Sequence, residues 1–376
     1  MRRLLSAIAA ALLLAPLVLP QGLALLGVSE GPQAVENRLK APLPAASLAV
    51  TDFQGYARQL AKAYSETFPF RDAMIRTANR LKLAVFGDSP SKSVIVGRDG
   101  WLFVNMEMAL EDWLAVIPYT EADLQAAVDC MRVRRDWLAR RGAAMLVVIA
   151  PNKSSVYGEF LPASMHKIGN VSRLDQLAEA MREAQVPFLD LRPALAAAKS
   201  ERRAYWKTDT HWNGWGAFMG ASAIVEALRE RFPAMPPLDP SDYRVEEKTI
   251  PGGDLSEMLL LEASLTERSI DMVPTSPPRA KPAGPKGYKD PATLSGRDMI
   301  IRETGDASLP KAVFFRDSFS SAAWPFLAER FQRSVFLWEH KFQPHIIEAE
   351  KPDVVVFEAV ERYQHALFGP VDKLDR

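Results

Sequence analysis

Residues 144–150 read AMLVVIA, an apolar run of strand length with no polar position to mark a solvent face. Such a run fits a strand buried on both sides. An alternation begins there. Ser172 caps a helix to about Gln185, and Val186–Leu191 reads as a second strand. Gly214–Phe232 reads as a helix with Ala217, Ala221, Val225 and Leu228 on one face. Further on come strand Lys311–Phe315, a helical stretch near 320–332, strand Ser334–Trp338, a helix near 344–350 and strand Asp353–Phe357. Short apolar strands alternating with helices predict an α/β fold, a parallel sheet flanked by helices.

Upstream the pattern changes. Residues 53–85 read as helical, and Ser93–Val96, a G-R-D-G turn and a second strand follow. Thr120 with Asp123 is a capping-box signal for a long helix that Gly142 stops. Residues 233–300 are proline-rich and predict an irregular insertion, with 274–292 a surface loop. The N-terminus has Arg2 and Arg3 before an uncharged apolar stretch, Leu4–Leu19, the pattern of an export signal. The apolar character resumes after Gln21, so an uncleaved anchor is equally compatible. Both place the body outside the cytoplasm, in a periplasm. The expected organisation is a signal or anchor over 1–27, a linker or arm over 28–52, and one catalytic-type domain over 53–376.

Composition narrows the function classes. The 376 residues carry 46 Lys+Arg against 46 Asp+Glu, a net charge of +0, so bulk electrostatics give no basis for a nucleic-acid partner. Cys130 is the single cysteine and excludes an internal disulfide. Phosphate-cradling glycine motifs are absent, and no cofactor is expected.

Three segments carry candidate chemistry. In YWKTDTHWNGWGA, Asp209 and His211 are two residues apart, which puts both side chains on one face of an extended backbone. That arrangement suits a carboxylate orienting a histidine base, a packed histidine beside a helix cap, or one corner of a metal site. No second His-rich motif supports the metal, so none is expected. In FFRDSFSS, Ser318 sits where a strand turns into a helix, either as an exposed nucleophile or as a helix N-cap. After AMLVVIA, Asn152 can donate to an oxyanion and Lys153 can bind a sugar or carboxylate. The plainer alternative is an Asn turn with a solvated lysine.

Taken together, these segments resemble the SGNH-type domain of the alginate O-acetyltransferase family, in its periplasmic J/X-type members. The resemblance is carried by ENR at 36–38, FPFRD at 68–72, SPSKSVIVGRDGWLF at 89–103, PNKSSVY at 151–157 and YWKTDTHWNGWGA. GGDL at 252–255, RDSF at 316–319 and PDVVVFEAVER at 352–362 complete it. The chain ends soon after its last strand, with no counterpart of the X-type carbohydrate-binding module, and so is expected to lie closer to the J-type. The resemblance implies a flavodoxin-like sheet with permuted motif order. It makes Ser318 the nucleophile, His211 the base and Asp209 its orienting partner. Arg316 stands where the esterase G-D-S box has glycine, and joins Asn152, Lys153 and Trp212 as an oxyanion or substrate-contact candidate. Trp212 offers a flat face to a sugar ring, or packs in the sheet rim.

The implied activity is transfer of acetyl groups to hydroxyls of an exported polysaccharide through an acetyl-serine. The implied donor partner is a membrane-bound O-acyltransferase, and the inner membrane is a further partner if the N-terminal segment is retained. A carbohydrate acetylesterase with the same triad, and a non-catalytic polysaccharide-binding assembly protein, are the alternatives.

Overall fold

A computed structural model describes residues 15, 18–28, 41–289 and 299–368. Most of the export-type stretch, the ENR piece and residues 290–292 of the proline-rich loop lie outside them. The chain divides into two compact units, residues 1–90 with 259–261, and 91–258 with 262–376. The first contains helices Phe53–Glu66 and Arg71–Leu81 and a π-helical turn Lys82–Phe86. Asp52 caps the first helix by accepting from the Gly55 amide at 2.9 Å. No helix among the described residues is long and apolar enough to cross a membrane.

The second unit begins with a two-stranded ribbon, β1 (Val94–Val96) and β2 (Leu102–Val104). Its centre is a seven-stranded sheet. The strands are β3 (Ala144–Ala150), β4 (Phe188–Asp190), β9 (Lys281–Pro282), β10 (Ile300–Glu303), β11 (Lys311–Phe315), β12 (Arg333–Leu337) and β13 (Val354–Val360). Their order is β4-β3-β13-β11-β12-β10-β9. The first five are parallel, and β10 and β9 add on antiparallel. Counted from β11 and continued through the chain ends, the parallel strands run 2-1-3-4-5. That is the flavodoxin-like order in circularly permuted form, and its switch point falls between β11 and β13.

Alternation along each strand builds two cores. Leu146, Val148, Phe314, Val354 and Val356 face one layer, covered by helices Arg192–Glu201, Gly214–Arg229 and Ser320–Ala328. Val147, Ile149, Phe315, Val355 and Phe357 face the other, under helices Glu121–Ala139, Arg173–Glu183 and Pro344–Glu350. The expected caps form: Thr120 with Asp123 and Ser172 with Asp175 each make a full capping box. The strand predicted over 186–191 is pared to its centre, and the helix predicted to 232 ends at Arg229.

Among its described residues, the 233–300 excursion carries only short elements. β5 (Tyr243–Glu246) pairs with β8 (Asp271–Pro274), and β6 (Thr249–Ile250) with β7 (Glu267–Arg268). One turn of helix, Asp254–Glu257, lies between them.

Phe357 is fully buried in β13 and stacks on Phe315 at 5.0 Å between ring centres. Phe357→Ala is expected to cost about 3–5 kcal/mol, read as a lowered denaturant midpoint. A change under about 1 kcal/mol would mean the central sheet is not packed as described.

Candidate active site

The switch point puts the loops after β11, β13 and β3 on one rim. After β11 the chain turns through Arg316, Asp317 and Ser318 into helix Ser320–Ala328. Asp317 fastens this turn. Its carboxylate accepts from the Phe319 amide at 2.8 Å and from the Val360 amide of β13 at 2.7 Å. Glu358, fully buried in β13, accepts from the Asp317 amide at 3.2 Å and the Ser320 hydroxyl at 2.7 Å. Burial, then the charge of Asp317, pushes the Glu358 carboxyl well above the usual carboxylate range. Ser318 is left half-buried, its hydroxyl free to face the rim.

That hydroxyl lies 2.8 Å from His211 Nε2, and His211 Nδ1 lies 2.7 Å from Asp209 Oδ1. The Asp209 oxygen also accepts the His211 amide at 2.8 Å, fixing carboxylate and ring as one unit. With Nδ1 donating to the carboxylate, Nε2 is the acceptor for the serine proton. Burial opposes the charge on Asp209, but the hydrogen bonds and charge of His211 prevail and hold its carboxyl below the usual range. Ser318, His211 and Asp209, spread over 110 residues of sequence, thus form one hydrogen-bonded chain.

The excursion supplies a fourth member. The Asp254 amide donates to Asp209 Oδ2 at 3.0 Å, and its carboxylate accepts from the Thr210 amide at 2.7 Å and hydroxyl at 2.6 Å. Asp254 Oδ2 is 3.7 Å from His211 Nδ1. Burial and the charge of Asp209 push the Asp254 carboxyl up. The approach depends on Gly253, where a Cβ would meet Asp209 at 2.4 Å. In the sequence, GGDL stands out only as part of the family resemblance. A glycine pair directly before an acid was the available signal for a carboxylate brought close to another segment. Asp209, His211 and Asp254 form the one cluster of metal-holding size among the described residues, and their facing atoms are engaged with one another and with Thr210.

Asn152 follows β3 and is buried, with Oδ1 accepting from Arg362 at 3.1 Å and Nδ2 lacking a partner. An orphaned amide donor at this rim is the feature an oxyanion requires. The other three contact candidates are placed differently from their expected use. Lys153 is 3% exposed and gives all three ammonium donors to the carbonyls of Trp206, Lys207 and Asp209, at 3.1, 3.0 and 2.7 Å. It clamps the histidine loop and has no donor left for a ligand. Burial pushes it down to about 7, against the pull of Asp209, Asp254 and Glu267. Trp212 is buried and donates to the Phe319 carbonyl at 2.9 Å, so it braces the turn that carries Ser318. Arg316 is buried over the Trp338 ring at 4.2 Å and donates to the Asp317 carbonyl and the Ser321 hydroxyl. Its backbone is not among the described residues with positive φ, so glycine is not required there. Asn213 caps helix Gly214–Arg229 by accepting from the Gly216 amide at 3.0 Å.

Residues 94–337 match the family model of the SGNH hydrolase-like domain of the acetyltransferase AlgX. The probable alginate O-acetylase AlgJ of Pseudomonas putida is 30% identical over 216 residues, 54% of this chain and 52% of the relative. Its namesake in Pseudomonas aeruginosa is 27% identical over 271 residues, 69% of this chain and 63% of the relative. The chain thus spans between about half and two thirds of these relatives. Bacillus cereus PatB1 shares the fold at a TM-score of 0.55 and 15% identity, over 73% of this chain and 98% of that one.

Two outcomes are expected. Asp209→Asn should lower kcat on a small acetyl ester by about 10³–10⁴-fold with little change in KM, and Asp254→Asn by less. Equal losses would contradict the ranking of the two carboxylates. Lys153 is depressed in the folded chain from 10.5 to about 7, so the unfolded chain binds the extra proton between those values. Its contribution to stability is complete above that window and lost as pH falls through about 7. Melting temperatures of wild type and Lys153→Met should therefore diverge as pH rises across the window. A constant difference would contradict the clamp's titration.

Proposed function

The chain belongs to the SGNH hydrolase-like family typified by AlgX, and we propose on that premise that it is an O-acetyltransferase acting on an exported polysaccharide. The observation that carries this is the 2.8 Å contact between His211 Nε2 and the Ser318 hydroxyl, with Asp209 behind the ring. Serine is a poor nucleophile at its ordinary pKa, and this contact is what activates it.

In the first half-reaction Ser318 Oγ attacks the donor's acetyl carbonyl as its proton passes to His211 Nε2. The charge on the tetrahedral oxygen is met by the Ser318 amide and by Asn152 Nδ2, the buried donor without a partner. Collapse expels the leaving group, which takes the proton from His211, and leaves acetyl-serine. In the second half-reaction a sugar hydroxyl gives its proton to His211 and attacks the same carbonyl, and Ser318 is restored. Asp209 stays ionised throughout and stabilises the imidazolium each time it forms.

The relatives named alginate O-acetylases support a polysaccharide acceptor. The export-type N-terminus fits a periplasmic site of action, where acetyl-CoA is not expected. We therefore assign the donor role to a membrane-bound O-acyltransferase partner.

Incubating the purified protein with an activated acetyl ester and oligosaccharide acceptors tests this. Acetylated sugar should form with wild type and fall to background with Ser318→Ala and His211→Ala. Transfer that survives both substitutions, or release of acetate alone at every acceptor tried, would remove the transferase reading.

A further inference from the structure

The PDVVVFEAVER stretch supplies β13 and its exit, and the acyl-transfer steps above use none of it. β13 lies between β3 and β11 in the sheet, so its exit reaches the loops that follow both neighbours. Val360 gives its amide to Asp317 under the serine turn at 2.7 Å. Glu361, buried, turns to the other loop and accepts the Asn152 amide at 2.8 Å and the Ser155 hydroxyl at 2.6 Å. Arg362, 6% exposed, donates from Nη1 to Asn152 Oδ1 at 3.1 Å. Tyr205 donates to the preceding carbonyl, that of Pro151, at 2.6 Å.

These contacts fix which end of the Asn152 amide is on offer. A guanidinium carries donors only, so the end facing Arg362 is the oxygen, and Nδ2 is turned away from it. Nδ2 is the buried donor without a partner. The charge on Arg362 is unspent in the same way. Glu361 is engaged with Asn152 and Ser155, and no carboxylate among the described residues pairs with the guanidinium. Its other neighbours are the rings of Phe319 and Tyr363, with centres 5.6 and 5.2 Å away. Aromatic faces offset part of the cost of burying a cation but supply no counter-charge. Phe319 is itself fully buried, and its ring centre lies 5.0 Å from that of His211. An uncompensated positive charge therefore stands one ring away from the triad, where low dielectric strengthens its field.

We propose that Arg362 is a positioning residue for the oxyanion: it locks the Asn152 amide with Nδ2 toward the reacting carbonyl, and its charge is met only when the tetrahedral oxygen turns negative. This rests on the acyl-transfer reading above and deepens it. In the resting protein the guanidinium has no anion. In the tetrahedral intermediate it gains one through the Asn152 amide, whose N–H it polarises by drawing on Oδ1. An interaction that strengthens only in the transition state raises kcat and leaves KM alone.

Steady-state hydrolysis of 4-nitrophenyl acetate by the full chain, arranged as a double-mutant cycle, tests this. Asn152→Ala should lower kcat by about 10²–10³-fold. Arg362→Gln should lower it by about 10–100-fold with little change in KM. The double variant should lose no more than Asn152→Ala alone, because Arg362 acts through that amide. Arg362→Lys keeps a charge and a donor and should recover part of the loss. If Arg362→Gln does not melt cooperatively, melting of two Asn152 variants replaces it. Asn152→Asp should melt higher than Asn152→Ala, since the new carboxylate pairs with the waiting guanidinium, and the reverse order overturns the proposal. So does unchanged kcat in folded Arg362→Gln, a product of the two losses in the double variant, Arg362→Lys no better than Arg362→Gln, or a raised KM with kcat intact. Any of these beside Ser318-dependent turnover by wild type leaves the triad standing. Wild type without Ser318-dependent turnover removes the acyl-transfer reading, and the role of Arg362 with it.

Discussion

Asp209 has to be half-buried, ionised and aimed at one ring nitrogen, all at once. Burial alone would raise its carboxyl and spoil it as an orienting charge. The structure answers with donors: the His211 amide and ring on one oxygen, and the Asp254 amide on the other. The donors come from two segments that must meet closely, and the surrounding architecture serves that meeting. Gly253 allows the approach. Thr208 ties the loop to the excursion by accepting the Gly253 amide at 2.9 Å, and Glu267 accepts the amides of Lys207 and Thr208 at 2.8 and 3.0 Å. From below, Lys153 gathers three carbonyls of the same loop. An otherwise irregular insertion is thereby part of the site.

Ser318, the proposed nucleophile, is held by a separate device. Asp317 and Glu358 lie together under the serine turn, and two buried carboxylates cannot both carry charge cheaply. Burial and the neighbouring charge push the Glu358 carboxyl up, and Asp317 serves as an acceptor for two backbone amides. Trp212 links the two halves, since its ring nitrogen bonds Phe319, the residue after Ser318, while its backbone follows His211. The histidine side and the serine side are thus mechanically coupled at one buried indole.

Much of this was legible in the chain. The apolar runs at 144–150 and 311–315 are strands to the residue, because strands buried on both faces leave an uninterrupted signature. Thr120 and Ser172 announced their helices through local hydrogen bonding, which sequence encodes directly. Ser318, His211 and Asp209 were legible as a resemblance, and the fold brings them into contact. Asn152 keeps an unpaired donor. The roles of Lys153, Trp212 and Arg316 were not legible. Each is a residue type that serves a ligand when exposed and a neighbouring backbone when buried, and burial is a tertiary outcome. Asp254 was hidden for the same reason, because its partner lies 45 residues earlier in the chain. The short β9 and β10 carry too few residues to show a period, and only pairing to the sheet edge defines them.

The central claim is that Ser318 itself carries the acetyl group between donor and acceptor. Brief exposure to an activated acetyl ester, acid quench and peptide mass mapping read this directly. Acetyl mass should appear on the peptide containing Ser318, vanish when an oligosaccharide acceptor is added before the quench, and fail to accumulate in His211→Ala. Acetylated sugar produced with no acetyl on Ser318 at any time, or label confined to lysines and unaffected by His211→Ala, would contradict it.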